Sequence, residues 1–182
     1  MTAVLITGTP GTGKTTVSRI VAEKLKTSLL AVNDLVDEKH IYNGIDAEKG
    51  YKVVDLDTLS NEIKVIVENS DKNYIIVEGH LAHEFSSDVV DMVIVLRARP
   101  DILRKRLNKR NWSDSKVYEN LEAEALDICT FEAVEIHGKK VNELDTSDID
   151  VEEVADIVIE IINCKKHFPP GNLNFLEELY GI

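Results

Sequence analysis

The 182-residue chain has no apolar run approaching the ~18 residues of a membrane-crossing helix. Its first apolar run, Ala3-Val4-Leu5-Ile6, starts so near the N-terminus that no leader peptide is expected. Cysteine is scarce: Cys129 falls inside a predicted helical stretch and Cys164 at the end of another, so neither a disulfide framework nor a metal cluster is expected, and a reducing, cytoplasmic setting is expected. Internal repeats and low-complexity segments are lacking too. Basic residues are outnumbered, 21 Lys and Arg against 33 Asp and Glu, for a net charge of −12. That balance argues against a general nucleic-acid binder, which needs cations to replace phosphate counterions. It suits a basic protein partner, or simply a well-solvated surface. The charge is uneven. Residues 143–160 carry eight acids and no Lys or Arg, whereas residues 97–110 carry seven of the 21 basic side chains.

What is present is a regular alternation of apolar runs and helical patterns. Strands are predicted at 3–7, 28–32, 74–78, 91–96 and 141–145, and helices at 13–26, 57–69, 101–110, 115–136 and 150–163. The runs Tyr74 to Glu78 and Asp91 to Leu96 are short, continuous and β-branched, as strands buried on both faces are. Five strands alternating with helices predict an α/β fold with a parallel sheet and helices on both sides. The length suits a single domain, 1–182. Two polar stretches interrupt the pattern: 33–56, read as a small helical insertion with loops, and 109–116, a break suited to a lid. The tail beyond Cys164 holds Leu173, Phe175, Leu176 and Leu179, which are expected to dock on the body of the chain or, failing that, on a partner.

Residues Gly8-Thr9-Pro10-Gly11-Thr12-Gly13-Lys14-Thr15 form a complete G-x-x-x-x-G-K-[ST] loop between a predicted strand and a predicted helix. In that context the glycines turn backbone N–H groups toward phosphate oxygens. Lys14 is placed to reach the β- and γ-phosphates, and the Thr15 hydroxyl to ligate Mg²⁺. The reading is a P-loop that binds a nucleoside triphosphate, with ATP and Mg²⁺ as the expected ligands. Glu78 ends a central strand, where ligands of open parallel sheets bind, so it is a candidate to hold Mg²⁺ through water or to position an attacking group; capping the next turn is the plainer role. His80 is either a water-orienting or proton-relaying residue or a half-buried loop histidine, and His83 has no comparable support. Arg110, with Arg106 second, shares a helix face beside the polar break and suits phosphate contact. Arg97 and Arg99 are placed at the border of the same crevice. Asn33 and Asp34 follow the second strand, near any acceptor; as a plainer role, Asp34 caps the next helix, and Asp57 is expected to cap helix 57–69.

Taken together, these residues resemble the adenylate kinase isoenzyme 6 family, small P-loop phosphotransferases also implicated in ribosome maturation. The resemblance covers about residues 3–163. It is carried by Thr7 to Thr16, Asn33-Asp34-Leu35, Asp55-Leu56-Asp57, Glu78-Gly79-His80, Val95-Leu96-Arg97, Arg106-Leu107 with Arg110, and Asn120 to Glu124. It implies an adenylate-kinase-like three-layer fold with an NMP-binding segment at 33–56 and a short lid at 109–119. It implies that Gly11, Gly13, Lys14, Thr15, Thr16 and Arg110 bind ATP, that Asn33 and Asp34 border the acceptor, and that both ATP:NMP phosphotransfer and ATP hydrolysis occur. A small-subunit ribosomal protein is the implied partner. The chain departs from the family pattern in three places. Glu78 stands where family members often have Asp. Asp37 stands where an arginine for the acceptor phosphate is expected, with Lys39 as a substitute. Thr146-Ser147-Asp148, expected beside the adenine, offers no lysine. The rival reading is an ATP-driven assembly factor. A kinase for a non-nucleotide acceptor such as shikimate is compatible with the loop alone but disfavoured by the other motifs.

Overall fold

Successive residues of a strand face opposite sides of a sheet, and in this chain both sides are apolar. The structure, a computed structural model, describes residues 2–47, 50–85 and 88–181. In chain order the elements are β1 (Thr2–Thr7), α1 (Lys14–Leu25), β2 (Leu29–Ala31), α2 (Val32–Lys39), β3 (Tyr42–Ile45), β4 (Lys52–Val54), α3 (Leu56–Glu68) and β5 (Tyr74–Glu78). They continue with β6 (Val90–Arg97), α4 (Pro100–Leu107), α5 (Asp114–Ala125), α6 (Ile128–His137), β7 (Val141–Asp145), α7 (Val151–Ile162) and α8 (Leu176–Tyr180). Five strands form an all-parallel sheet in the order β2-β5-β1-β6-β7. From β1, Ala3 and Leu5 join Val77, Val93 and Val95 under α2, α3 and α6; Val4 and Ile6 join Ile76, Ile94 and Leu96 under α1 and α7. The result is the helix–sheet–helix arrangement the alternation predicts. The tail docks on this same body: Phe175 is buried and Leu179 packs with Leu103, Leu107 and Leu121. Ile182 lies outside the described residues.

Several sequence expectations are corrected. The predicted helix 115–136 is two helices, α5 and α6, joined at Asp127 in the left-handed region (φ 56°). The predicted helix 101–110 ends at Leu107 and tightens into a 3-10 turn, Asn108–Arg110. Asp55, not Asp57, caps α3, its carboxylate accepting from the Thr58 N–H at 3.0 Å. Asp34 does not cap α2; that helix starts at Val32 and Asp34 lies within its first turn. The 33–56 insertion is only partly helical, since β3 and β4 form an antiparallel hairpin. Its strands are three and four residues long, too short to show a period of two.

Arg97 does not border the crevice: it is 1% exposed and lies inside the molecule. An arginine has five N–H donors, and each of Arg97's nitrogens is engaged. Nε donates to Glu124 Oε1 at 2.8 Å; Nη1 donates to Thr130 Oγ1 at 3.2 Å and to Glu143; Nη2 donates to the Glu124 carbonyl at 2.8 Å and to Asp127. Burial works against the charge, but Glu124 and Asp127 outweigh it and raise the guanidinium pKa further. The break between α5 and α6 follows, because Asp127 turns in to Arg97 and the Glu124 carbonyl in the last turn of α5 accepts from the same group. Removing the cation strands Glu124 and Glu143 in the interior. Arg97→Leu is therefore expected to cost about 3–5 kcal/mol in urea denaturation, and a loss below about 1 kcal/mol would show that the cluster is not holding these elements.

Candidate active site

Register aligns the carboxyl ends of the central strands: Ile6 pairs with Glu78, Ala31 with Glu78, and Thr7 with Val95. The loop 8–13 rises from that edge. At Gly8 (φ +134°) an added Cβ would lie 2.2 Å from the Leu96 carbonyl oxygen, so only glycine lets the loop leave the sheet here. At Gly11 (φ +101°) it would press on Leu103 and Leu107 at 2.8 and 2.9 Å. The loop delivers the chain into α1, whose N-terminus no side chain caps, leaving first-turn amides directed outward.

Two adjoining cavities share Gly13 and Thr16. One, of about 140 Å³, is lined by Gly11, Gly13, Lys14, Thr15, Thr16, Asn33, His80 and Arg110, together with Pro10 and Gly79. The other, of about 260 Å³, is lined by Thr12, Gly13, Thr16, Val17, Arg106, Thr146, Ile149, Val151 and Val154. The first is polar and basic, the second half apolar. Asp34 and Glu78 are not in the lining. Glu78 is buried behind the first cavity, accepting from the Thr15 hydroxyl at 3.4 Å. Burial raises its pKa, against the opposing pull of Lys14 and Thr15. Asp34 is exposed on α2.

Lys14 is folded back onto its own loop, Nζ donating to the Gly8 and Thr9 carbonyls at 2.7 and 3.1 Å, and burial pushes its pKa down to about 8. Arg106 belongs to the second cavity rather than the first: Nη2 donates to the Thr146 carbonyl at 3.0 Å, and Nη1 approaches Thr146 Oγ1 at 3.3 Å and the Gly11 and Thr12 carbonyls at 3.5 Å. Arg99 pairs with the exposed Asp148. Arg110 lies 5.4 Å from the Trp112 ring, and Lys116 sits over both Trp112 (4.4 Å) and Tyr51 (4.7 Å), so the 109–119 stretch touches the hairpin segment. Lys39, considered above for an acceptor phosphate, pairs with Glu62 at 2.5 Å, and Lys52 pairs with Asp37.

Sequence reading missed Thr9 and Glu124. The Thr9 hydroxyl donates to Glu124, whose other oxygen accepts from Arg97 and from the Ala98 N–H at 2.9 Å. Glu124 stands in the matched run Asn120 to Glu124, but nothing in its spacing tells a buried acid from a solvated one.

Comparison with known proteins places the chain. A family described as "AAA domain" matches residues 4–127. A protein of Methanothermobacter thermautotrophicus named "Putative adenylate kinase" is 43% identical over 98% of this chain and 99% of its own length. This chain belongs to their family. An Archaeoglobus fulgidus protein of the same name is 42% identical over 97% of this chain and 93% of its own. Among solved structures, shikimate kinase from Acinetobacter baumannii superposes with a TM-score of 0.63 over 91% of this chain and 95% of that one, at 18% identity, which is a likeness of fold. The chain shares the fold of that kinase; the narrower isoenzyme 6 name rests on the motifs alone.

His80 provides a direct check on the first cavity. The residue is partly reached by solvent, yet desolvation by the surrounding loop, then the charges of Lys14 and His83, push its pKa down to about 4. It is expected to stay neutral from pH 7 down to about 5 in an ¹⁵N-detected NMR titration, and to titrate higher in Lys14→Met. An ordinary midpoint near 6.5 would show that the loop does not desolvate this ring.

Proposed function

We propose that the protein is a nucleoside monophosphate kinase that transfers the γ-phosphoryl group of ATP to AMP or a related NMP, with accompanying ATP hydrolysis. The observation that carries this reading is the pair of cavities joined at Gly13 and Thr16. The half-apolar one suits a base and ribose, with Val17, Ile149, Val151 and Val154 against the ring and Arg106 and Thr146 at its polar edge. The basic one suits phosphates, with first-turn amides of α1, Lys14 and Arg110 converging on it. Membership of a family named for adenylate kinases supports the same assignment.

Divalent magnesium requires hard oxygen donors. The Thr15 hydroxyl and the Glu78 carboxylate, 3.4 Å apart, supply such a pair. Thr15 would hold the ion directly and Glu78 through water; when bound, the ion neutralises charge on the phosphates. In this reading Lys14 leaves the Gly8 and Thr9 carbonyls for the phosphates. Arg110 reaches in from the 109–119 lid, and its stacking on Trp112 limits the rotamers it must lose. Asn33 and His80 occupy the far wall of the phosphate cavity and face the acceptor from the 33–56 segment. A neutral His80 orients the acceptor through hydrogen bonds and does not add a third cation.

One observation favours a second reading, an ATP-driven assembly factor with water as acceptor and a basic small-subunit ribosomal protein as partner. Among the described residues of the acceptor segment, the lysines Lys39 and Lys52 are already paired with carboxylates. Exposed Leu126, Ile128 and Phe131 on an acidic molecule also suit a protein partner.

Purified protein with Mg-ATP and each of AMP, GMP, CMP and UMP is expected to give NDP in step with NMP consumed, followed by chromatography. ADP release indifferent to every NMP would favour the second reading. Lys14→Ala and Arg110→Ala are each expected to lower turnover by about 10²-fold or more, with activity surviving in Lys14→Ala sinking both readings. A pH test follows from Lys14. Phosphate favours its charged form, and free Lys14 loses its proton above about 8. ATP binding at pH 9 should therefore take up a proton, and affinity should fall as pH rises through 8. Calorimetry in two buffers of different ionisation enthalpy measures that uptake, and equal heats would contradict it.

A further inference from the structure

We propose that His83, Glu84 and Glu132 form a binding site for one divalent transition-metal ion of the zinc class, separate from the nucleotide cavities. His83 and Glu84 lie on the 3-10 turn Ala82–Glu84 that follows β5, and Glu132 reaches them from α6. The imidazole is 2% exposed, and its Nε2 lies 3.0 Å from Glu132 Oε2 and 3.8 Å from Glu84 Oε1. All three ligand atoms lie within 4.8 Å of one another. Three bonds of about 2.0–2.2 Å to a common ion place such atoms roughly 3–3.7 Å apart, which these spacings bracket.

The hydrogen-bond directions give the reason to expect a cation there. Thr7 Oγ1 has a single hydrogen, and it donates to the His80 carbonyl at 3.3 Å. The same oxygen lies 2.7 Å from His83 Nδ1, and with its hydrogen on the His80 carbonyl it accepts from that nitrogen. That tautomer leaves a bare lone pair on Nε2, aimed at two carboxylates. Lone pair and anions repel unless a second ring proton or a metal cation sits among them, and the titration below separates the two. Among the described residues, the salt bridges of Glu84 and Glu132 go to His83 alone. The remaining requirement of a histidine ligand is a partner that fixes the ring. Thr7 does this at Nδ1, and His137 Nε2, 2.7 Å from the His83 carbonyl, holds the backbone.

Ligand chemistry selects the ion. Imidazole suits zinc, cobalt or iron and disfavours magnesium and calcium, which take oxygen. One histidine and two carboxylates leave a coordination position for water, and Glu84 and Glu132, 27% and 43% exposed, open the site to solvent. Through the Thr7 hydroxyl the site touches the carbonyl of His80, a wall of the phosphate cavity.

The test uses untagged, metal-stripped protein without nucleotide, titrated with Co²⁺ and followed by visible ligand-field absorption. The expected result is saturable uptake of one Co²⁺ per chain, displaced by Zn²⁺ and not by excess Mg²⁺. The double variant Glu84→Gln, Glu132→Gln changes partly exposed positions and should leave the circular dichroism unaltered while lowering affinity at least tenfold. His83→Gln should abolish the band. Absence of a saturable band in the wild-type protein would overturn the proposal, with His83 then an imidazolium paired to Glu132. A band undiminished in both variants would overturn it too, because the ion would be bound elsewhere.

Discussion

The guanidinium of Arg97 is the point on which the rest of the molecule depends. One cation at the end of β6 satisfies acceptors from α5, from the α5–α6 junction, from α6 and from β7, and its flat face meets the Phe175 ring of the tail at 5.1 Å. Charges taken out of water are stabilising only when every remaining lone pair and proton finds a partner. That condition is met on the arginine side with all five donors and on the Glu124 side with Thr9, Arg97 and the Ala98 amide. The nucleotide loop is therefore fastened at its second residue to the same network that joins the sheet edge to its helices. The loop is tied to the interior through Thr9, while its glycines only permit its path.

The tail extends that network to the sheet edge. β7 would otherwise show an unpaired flank, the feature that invites strand addition from other chains. Here the Glu143 amide donates to the Phe168 carbonyl at 2.8 Å, the Gly171 amide to Glu143 Oε2 at 3.0 Å, and the Phe168 amide to Asn142 at 3.0 Å. Tyr180 then donates to Glu122 on α5 at 2.9 Å. A segment without motif thus closes the flank and braces the helix that carries Glu124.

How much of this was legible in the sequence depended on the kind of signal. Strands β5 and β6 and helices α1, α3 and α7 announced themselves because burial on both faces demands continuous β-branched runs, and one buried stripe demands a 3.6-residue period; β1, β2 and β7 followed from their place in the alternation. The loop was legible because its glycines have steric reasons that fall at fixed offsets. The hairpin β3–β4 was not, since strands of three and four residues carry too few side chains to show a period. The split between α5 and α6 was not, because its cause, Arg97, is thirty residues away from Asp127. Arg97 itself was misplaced for the same reason: a cation just past a strand end reads as exposed unless its three carboxylate partners, scattered over positions 124, 127 and 143, are known to converge. Lys39 looked like a spare cation until the fold brought Glu62 to it.

Lys14 has a consequence for how the loop meets a ligand. By donating to the Gly8 and Thr9 carbonyls it acts as a tethered internal guest, holding the loop's oxygens while the amides on the opposite side stay directed outward. An arriving anion need not organise the loop; it has only to trade places with two carbonyls for one ammonium group. Any anion that binds there therefore competes with two carbonyls for one ammonium group, and its affinity carries the cost of that exchange.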